Sequence, residues 1–104
     1  MKQFDTFKTL LKEGNDNELL RYSLGNEYFK QGDFDQSAVH LEKAIELKPS
    51  FSAAWKLYAK ALTKNKKIDE AIGAYEKGIS IAEKNGDVQV LKEMRVFLKR
   101  LTTD

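Results

Sequence analysis

Lys56, Lys60 and Lys64 stand four residues apart in a stretch, from Ala54 to Ile68, that holds no acidic residue and adds Lys66 and Lys67. On a helix that spacing puts all three ammonium groups in one row, and like charges so placed repel by about 0.2–0.5 kcal/mol per pair. The chemistry of such a row is attraction of carboxylates. The plainer reading is a solvated basic face, neutralised by Glu18 or Glu27 of the neighbouring helix. The regular spacing favours a row built for an acidic partner.

Other residues promise less. His40 is the only histidine. As a general base it would need a nucleophile and an orienting partner at suitable spacing, and neither is present. A surface or half-buried helical histidine is the expectation. Asp33-x-Asp35-x-Ser37 resembles the start of a calcium loop, but such a loop wants glycine at its sixth position and glutamate at its twelfth, where this chain has Ala38 and Ala44. The aspartates read instead as caps of a helix. No glycine-rich phosphate loop occurs, and the absence of cysteine excludes disulfides, thiolate zinc sites and cysteine nucleophiles. The expectation is a protein with no catalytic, metal or cofactor site, and no enzyme.

Composition sets the frame for the lysine row. With 104 residues, 41% hydrophobic and 33% charged, the chain has the length of one domain with a buried core. The apolar residues are dispersed, and no run approaches the roughly 18 that span a bilayer. The N-terminal MKQFDTFKTLLKEG lacks the apolar core and cleavage site of a signal peptide. A cytoplasmic protein without membrane attachment is expected. A net charge of +2 gives no global field for nucleic acid. One proline, few glycines and abundant Leu, Lys, Glu and Ala predict an all-α fold.

The elements that place the lysines come from an internal repeat. A shift of 34 positions superposes Lys30 on Lys64, Asp35 on Asp69, Glu42 on Glu76, Lys43 on Lys77 and Ile45 on Ile79. A period of this length is that of a helix–turn–helix unit. In the first unit, Leu20, Leu24 and Tyr28 follow a helical spacing and Gly32 supplies a left-handed stop. Asp33 or Asp35 caps the next helix, and Gln36 completes a capping box with Asp33. Ala38, Leu41, Ala44 and Ile45 form its buried face, and Pro49 ends it. Small residues at Gly25, Ser37, Ala59 and Ala71 let the paired helices approach.

Leu24-Gly25-x-x-Tyr28, Ser37-x-x-x-Leu41, Ala44 and Pro49 together resemble the tetratricopeptide repeat, whose pattern is W-x₂-L-G-x₂-Y, A-x₃-F and P. The resemblance gives repeat 1 over 18–51, with Arg21 at the tryptophan position, and repeat 2 over 52–85, with Trp55 there. Repeat 2 departs at Tyr58-Ala59, where Leu-Gly is usual, and at Glu83, where Pro is usual. Its last helix therefore runs on to Lys84, before Asn85-Gly86 ends it. A helix over 3–13, with an apolar stripe of Phe4, Phe7, Leu10 and Leu11, precedes the repeats. Another over 87–102, capped by Asp87 and striped by Leu91, Met94, Leu98 and Leu101, follows them. These flanks act as caps, since about three stacked units are usually needed for stability. The whole chain is similar to small bacterial proteins of two such repeats with a terminal helix.

The resemblance implies a right-handed superhelical stack whose concave groove is lined by fixed positions of each repeat's first helix. These are Leu19, Tyr22, Asn26, Phe29 and Lys30 in repeat 1, and Ala53, Lys56, Lys60, Thr63 and Lys64 in repeat 2. It implies a protein–protein interaction module that binds a peptide or protein segment, acidic by the lysine row, with Tyr22 and Phe29 as apolar anchors and Asn26 bonding the peptide backbone. Of the five carboxylate-clamp residues of the family's chaperone-tail binders, only Asn26 matches. Two rivals remain. One is self-association, as a homodimer, through the C-terminal helix, where Val90 and Phe97 lie off the main stripe. The other is RNA binding through Lys56–Lys67 with Lys92, Arg95, Lys99 and Arg100, which the balanced charge opposes.

Overall fold

The computed structural model describes residues 2–103, which form six helices among them. They are α1 (Lys2–Lys12), α2 (Glu18–Lys30), α3 (Phe34–Leu47), α4 (Ser52–Lys64), α5 (Ile68–Asn85) and α6 (Val88–Thr102). Each boundary has a local cause. Asn17 opens α2, its side-chain oxygen accepting the Leu20 N–H at 2.8 Å. Gly32, at φ +82°, turns the chain out of α2. Asp33 then caps α3 through the Gln36 N–H at 3.1 Å. The reciprocal half of the predicted capping box does not form, because the Asp33 N–H already donates to the Tyr28 carbonyl at 3.0 Å in closing α2.

Repeat 2 reuses this design with one unfavourable substitution. Lys66 stands where a 34-residue shift from Gly32 falls, and it takes the left-handed conformation at φ +61°, a strained position for a side chain with a Cβ. Without a proline at 83, α5 extends to Asn85, and Gly86 ends it at φ +74°. Asp87 precedes α6, but its carboxylate does not cap that helix. It accepts instead from the Ser52 hydroxyl and, at 3.4 Å, from Asn85, tying the α5–α6 turn to the start of α4.

The helices pack in two layers, which the 19 Å shortest dimension matches, a helix with its side chains being about 10–12 Å across. Within repeat 1 the approach of α2 to α3 depends on Gly25. A Cβ there would lie 2.5 Å from Leu41 Cγ, and the Ser37 hydroxyl donates to the Gly25 carbonyl at 2.8 Å in the same buried contact. Ala59 and Ala71 are buried at the matching positions of repeat 2.

Both flanking helices complete the core. On α1, Phe4, Phe7 and Leu11 pack against Leu20, Leu24 and Tyr28. Leu10, expected on that stripe, is exposed, because Phe4–Phe7–Leu11 already spans the buried face and Leu10 lies about 100° round the helix from Leu11. At the other end, Met94 of α6 is fully buried against Gly78, with Leu91, Leu98 and Leu101 beside it.

Candidate functional site

The lysine row lies on α4, the middle helix of a layer in which α4 touches α2 on one side and α6 on the other. Tyr22, Asn26 and Phe29 come from α2, so the first-helix positions of both repeats share this layer. Their surroundings are more differentiated than the sequence suggested. The Lys56 ammonium pairs with Glu93 of α6 at 2.9 Å, not with Glu18 or Glu27. Lys60 lies between two rings, 5.6 Å from the centroid of Phe29 and 5.4 Å from that of Phe97. Lys64 is exposed and has no carboxylate partner among the described residues. One row thus contains a paired, an aromatic-flanked and a free ammonium.

The remaining residues expected to line a groove divide in the same way. Phe29 packs edge-on to Phe34, with centroids 5.1 Å apart, and still presents a face to Lys60. Among the described residues the Asn26 amide makes no side-chain hydrogen bond, and the residue is half-buried. Tyr22 packs on Phe51 at 5.0 Å beside the Ala44, Ile45 and Ala54 core, so much of its ring is already covered. Lys30 is exposed and 3.5 Å from Glu27. Thr63 donates its hydroxyl to the Ala59 carbonyl at 2.8 Å, leaving it weaker as a donor to a ligand. Leu19, 65% exposed, and half-buried Ala53 lie toward the start of their helices.

Two residues of this face, Glu93 and Phe97, lie outside the groove positions expected from the sequence. A signal for Phe97 existed: stepping 34 positions from Phe29 reaches Thr63, and a second step reaches Phe97. Treating the last helix only as a cap hid it. Val90 and Phe97, the motive for self-association through α6, both pack against the repeat 2 core, Phe97 lying 6.1 Å from Tyr75. Val88 and Val96 are the large apolar side chains that α6 leaves exposed.

His40 lies apart from this face. Its ring stacks on Tyr28 at 5.3 Å, and its Nδ1 accepts a 3.0 Å hydrogen bond from Arg21, whose guanidinium also grips Asp16 through two bonds. A nitrogen that accepts from arginine carries no proton, which fixes the tautomer. Burial lowers the His40 pKa first, and Arg21 lowers it further against an opposing pull from Asp16.

The folded chain therefore binds fewer protons than the unfolded chain just below the ordinary histidine value of about 6.5. Stability present above that value is lost as pH falls through it toward the folded pKa. Because no other histidine exists, the melting temperature of the wild type is expected to drop between about pH 7 and 5. A His40→Gln variant should show a flatter profile, and equal slopes would refute the assignment.

Layered helical hairpins repeating every 34 residues define a solenoid of helix–turn–helix units with its first helices on one face. This chain belongs to the tetratricopeptide repeat family, whose model matches residues 22–87. It is 42% identical over 92 residues, 88% of each chain, to a TPR repeat-containing protein of Pseudomonas aeruginosa. Its structure is similar to the solution structure of a Bordetella parapertussis protein, with a TM-score of 0.83 and 39% identity over 94% of this chain and 85% of that one. A tetratricopeptide repeat domain protein from Salinibacter ruber shares the fold, with a TM-score of 0.76 at 22% identity over 84% and 88% of the two chains. Such domains generally mediate protein–protein interaction. No helix among the described residues is long and apolar enough to cross a membrane.

Proposed function

We propose that the face formed by α2, α4 and α6 binds a segment of a protein partner, with an acidic side chain of that segment seated at Lys60 and Lys64. The observation that carries this reading is Lys60, an ammonium held between Phe29 and Phe97 across three helices. Rings on both sides keep water from part of the charge, and a carboxylate arriving there meets a less screened partner than at a free surface lysine. Phe29, Phe97 and the uncovered edge of Tyr22 offer apolar contact, and Asn26 offers both a donor and an acceptor to an extended backbone. Lys56 plays a lesser part, since Glu93 already neutralises it.

That pairing decides the test. Reversing Lys56 would set two carboxylates against each other and disturb α6, so Lys60→Glu/Lys64→Glu is the cleaner variant. A partner captured by the wild type is expected to bind this variant at least tenfold more weakly, or about 1.4 kcal/mol, by titration calorimetry. Equal affinity for both proteins, with circular dichroism showing both equally helical, would move the binding surface elsewhere.

A further inference from the structure

The opposite face carries a cleft, which the reading above does not use. No Cα of α3 comes within 8 Å of one in α5. The gap between them, about 620 Å³, is floored by Trp55 and Tyr58 of α4 and bordered by Glu42, Glu46, Glu70 and Gly73. Trp55 and Tyr58 are the aromatic residues of α4. They pack, with Trp55 Nε1 donating to the Pro49 carbonyl at 2.9 Å, yet each remains partly open to the cleft.

Gly73 is the residue that folding does not explain. Gly25 and Gly78 are each crowded by neighbouring side chains, but a Cβ on Gly73 would meet nothing within 4 Å, and its backbone is helical. Glycine is the poorest helix former after proline. A glycine that weakens α5 and leaves the cleft wall bare suits the close approach of another molecule.

The charge is equally directional. Three carboxylates border the floor, against Lys77 within the cleft and Lys43, which stands 3.8 Å from Glu46. Glu42 accepts the Tyr58 hydroxyl at 3.1 Å. Burial, with Glu42 and Glu70 adding to it, pushes the Tyr58 pKa up to about 12, which keeps that donor protonated. Aromatic faces beside carboxylates match a guanidinium, which stacks and pairs bidentately, better than an ammonium.

We propose that this cleft binds an arginine-bearing segment of a protein partner, the guanidinium lying over Trp55 and Tyr58 between Glu42 and Glu70 and the segment passing over Gly73. Because Trp55 is the only tryptophan, its emission reports occupancy directly. The probe is an alanine-based peptide with two arginines four residues apart, titrated at low salt beside the same peptide with glutamates.

The arginine peptide is expected to shift Trp55 emission saturably, and the glutamate peptide to leave it unchanged. Gly73→Ala should weaken the arginine peptide about tenfold while raising the melting temperature by about 4–8 °C. Glu42→Gln/Glu70→Gln should weaken it by a similar factor, and Lys60→Glu/Lys64→Glu should not, which separates this cleft from the opposite face. Equal response to both peptides, or full affinity in the Gly73→Ala protein, would overturn the proposal. So would sedimentation showing self-association that Gly73→Ala abolishes, since the cleft would then belong to a second copy of this chain.

Discussion

Replacing Gly25 with alanine is expected to destabilise this protein by about 3 kcal/mol, even though alanine is the better helix former by about 1 kcal/mol. The new Cβ would lie 2.5 Å from Leu41 Cγ and 2.8 Å from its Cδ2, where carbon atoms prefer about 3.5–4.0 Å. Leu41 is fully buried and has nowhere to turn. Overpacking of this kind costs about 1–3 kcal/mol. Moving α2 and α3 apart by about 1 Å does not relieve it cheaply, because the 2.8 Å bond from Ser37 to the Gly25 carbonyl would break inside the core. A buried hydroxyl left without a partner costs about 1–3 kcal/mol more.

A drop in melting temperature of more than about 10 °C should follow. Leu41→Ala alone should cost about 2–5 kcal/mol. Combined with Gly25→Ala it should cost less than the sum, by at least about 1 kcal/mol, since the smaller side chain makes room for the methyl group. Strict additivity, or a Gly25→Ala protein that melts higher, would remove the contact from the explanation. Paired with Gly73→Ala, the experiment sets two helical glycines against each other, one required by packing and one not.

Gly25 also shows what the sequence makes legible. Its match to Ala59, and that of Ser37 to Ala71, expose a close helical contact because a repeated small residue is a local signal. Caps and stops at Asp33, Gly32 and Gly86 are local too, and the structure has them where the residues predict. What depended on contact between distant segments was read less well. Lys56 gave no sign of pairing with Glu93, 37 residues away, and the likeness of the three lysines hid three different environments. Tyr22 looked like a free anchor because Phe51, its cover, lies in a loop whose side-chain direction no periodicity sets. The Asp87 carboxylate was expected to cap α6, but Ser52, 35 residues earlier at the start of repeat 2, binds it. The α3–α5 cleft was invisible for a related reason: it is a gap, and its floor comes from a third helix.

A chain ending at Gly86 is expected to lose its cooperative thermal transition altogether. Without α6, Tyr75, Ala82 and the bare backbone at Gly78 would face water, and each is buried in the intact protein. The helix brings Met94, fully buried, and five half-buried apolar side chains: Val90, Leu91, Phe97, Leu98 and Leu101. Burial at about 25 cal/mol per Å² makes this set worth on the order of 7 kcal/mol, while a domain of this length is stable by only about 5–15 kcal/mol. The graded version is Met94→Ala, expected to cost about 2–5 kcal/mol while leaving a cooperative fold. Retention of a sharp transition by the truncated chain would mean that two repeats and α1 suffice. The same deletion would remove Glu93 from Lys56 and Phe97 from Lys60, so lost binding after truncation could not separate the cap from the site. Phe97→Ala separates them only in part, because that ring also packs near Tyr75. Only charge changes at Lys60 and Lys64, neither of which lies in the core, test the face without unseating the helix that completes it.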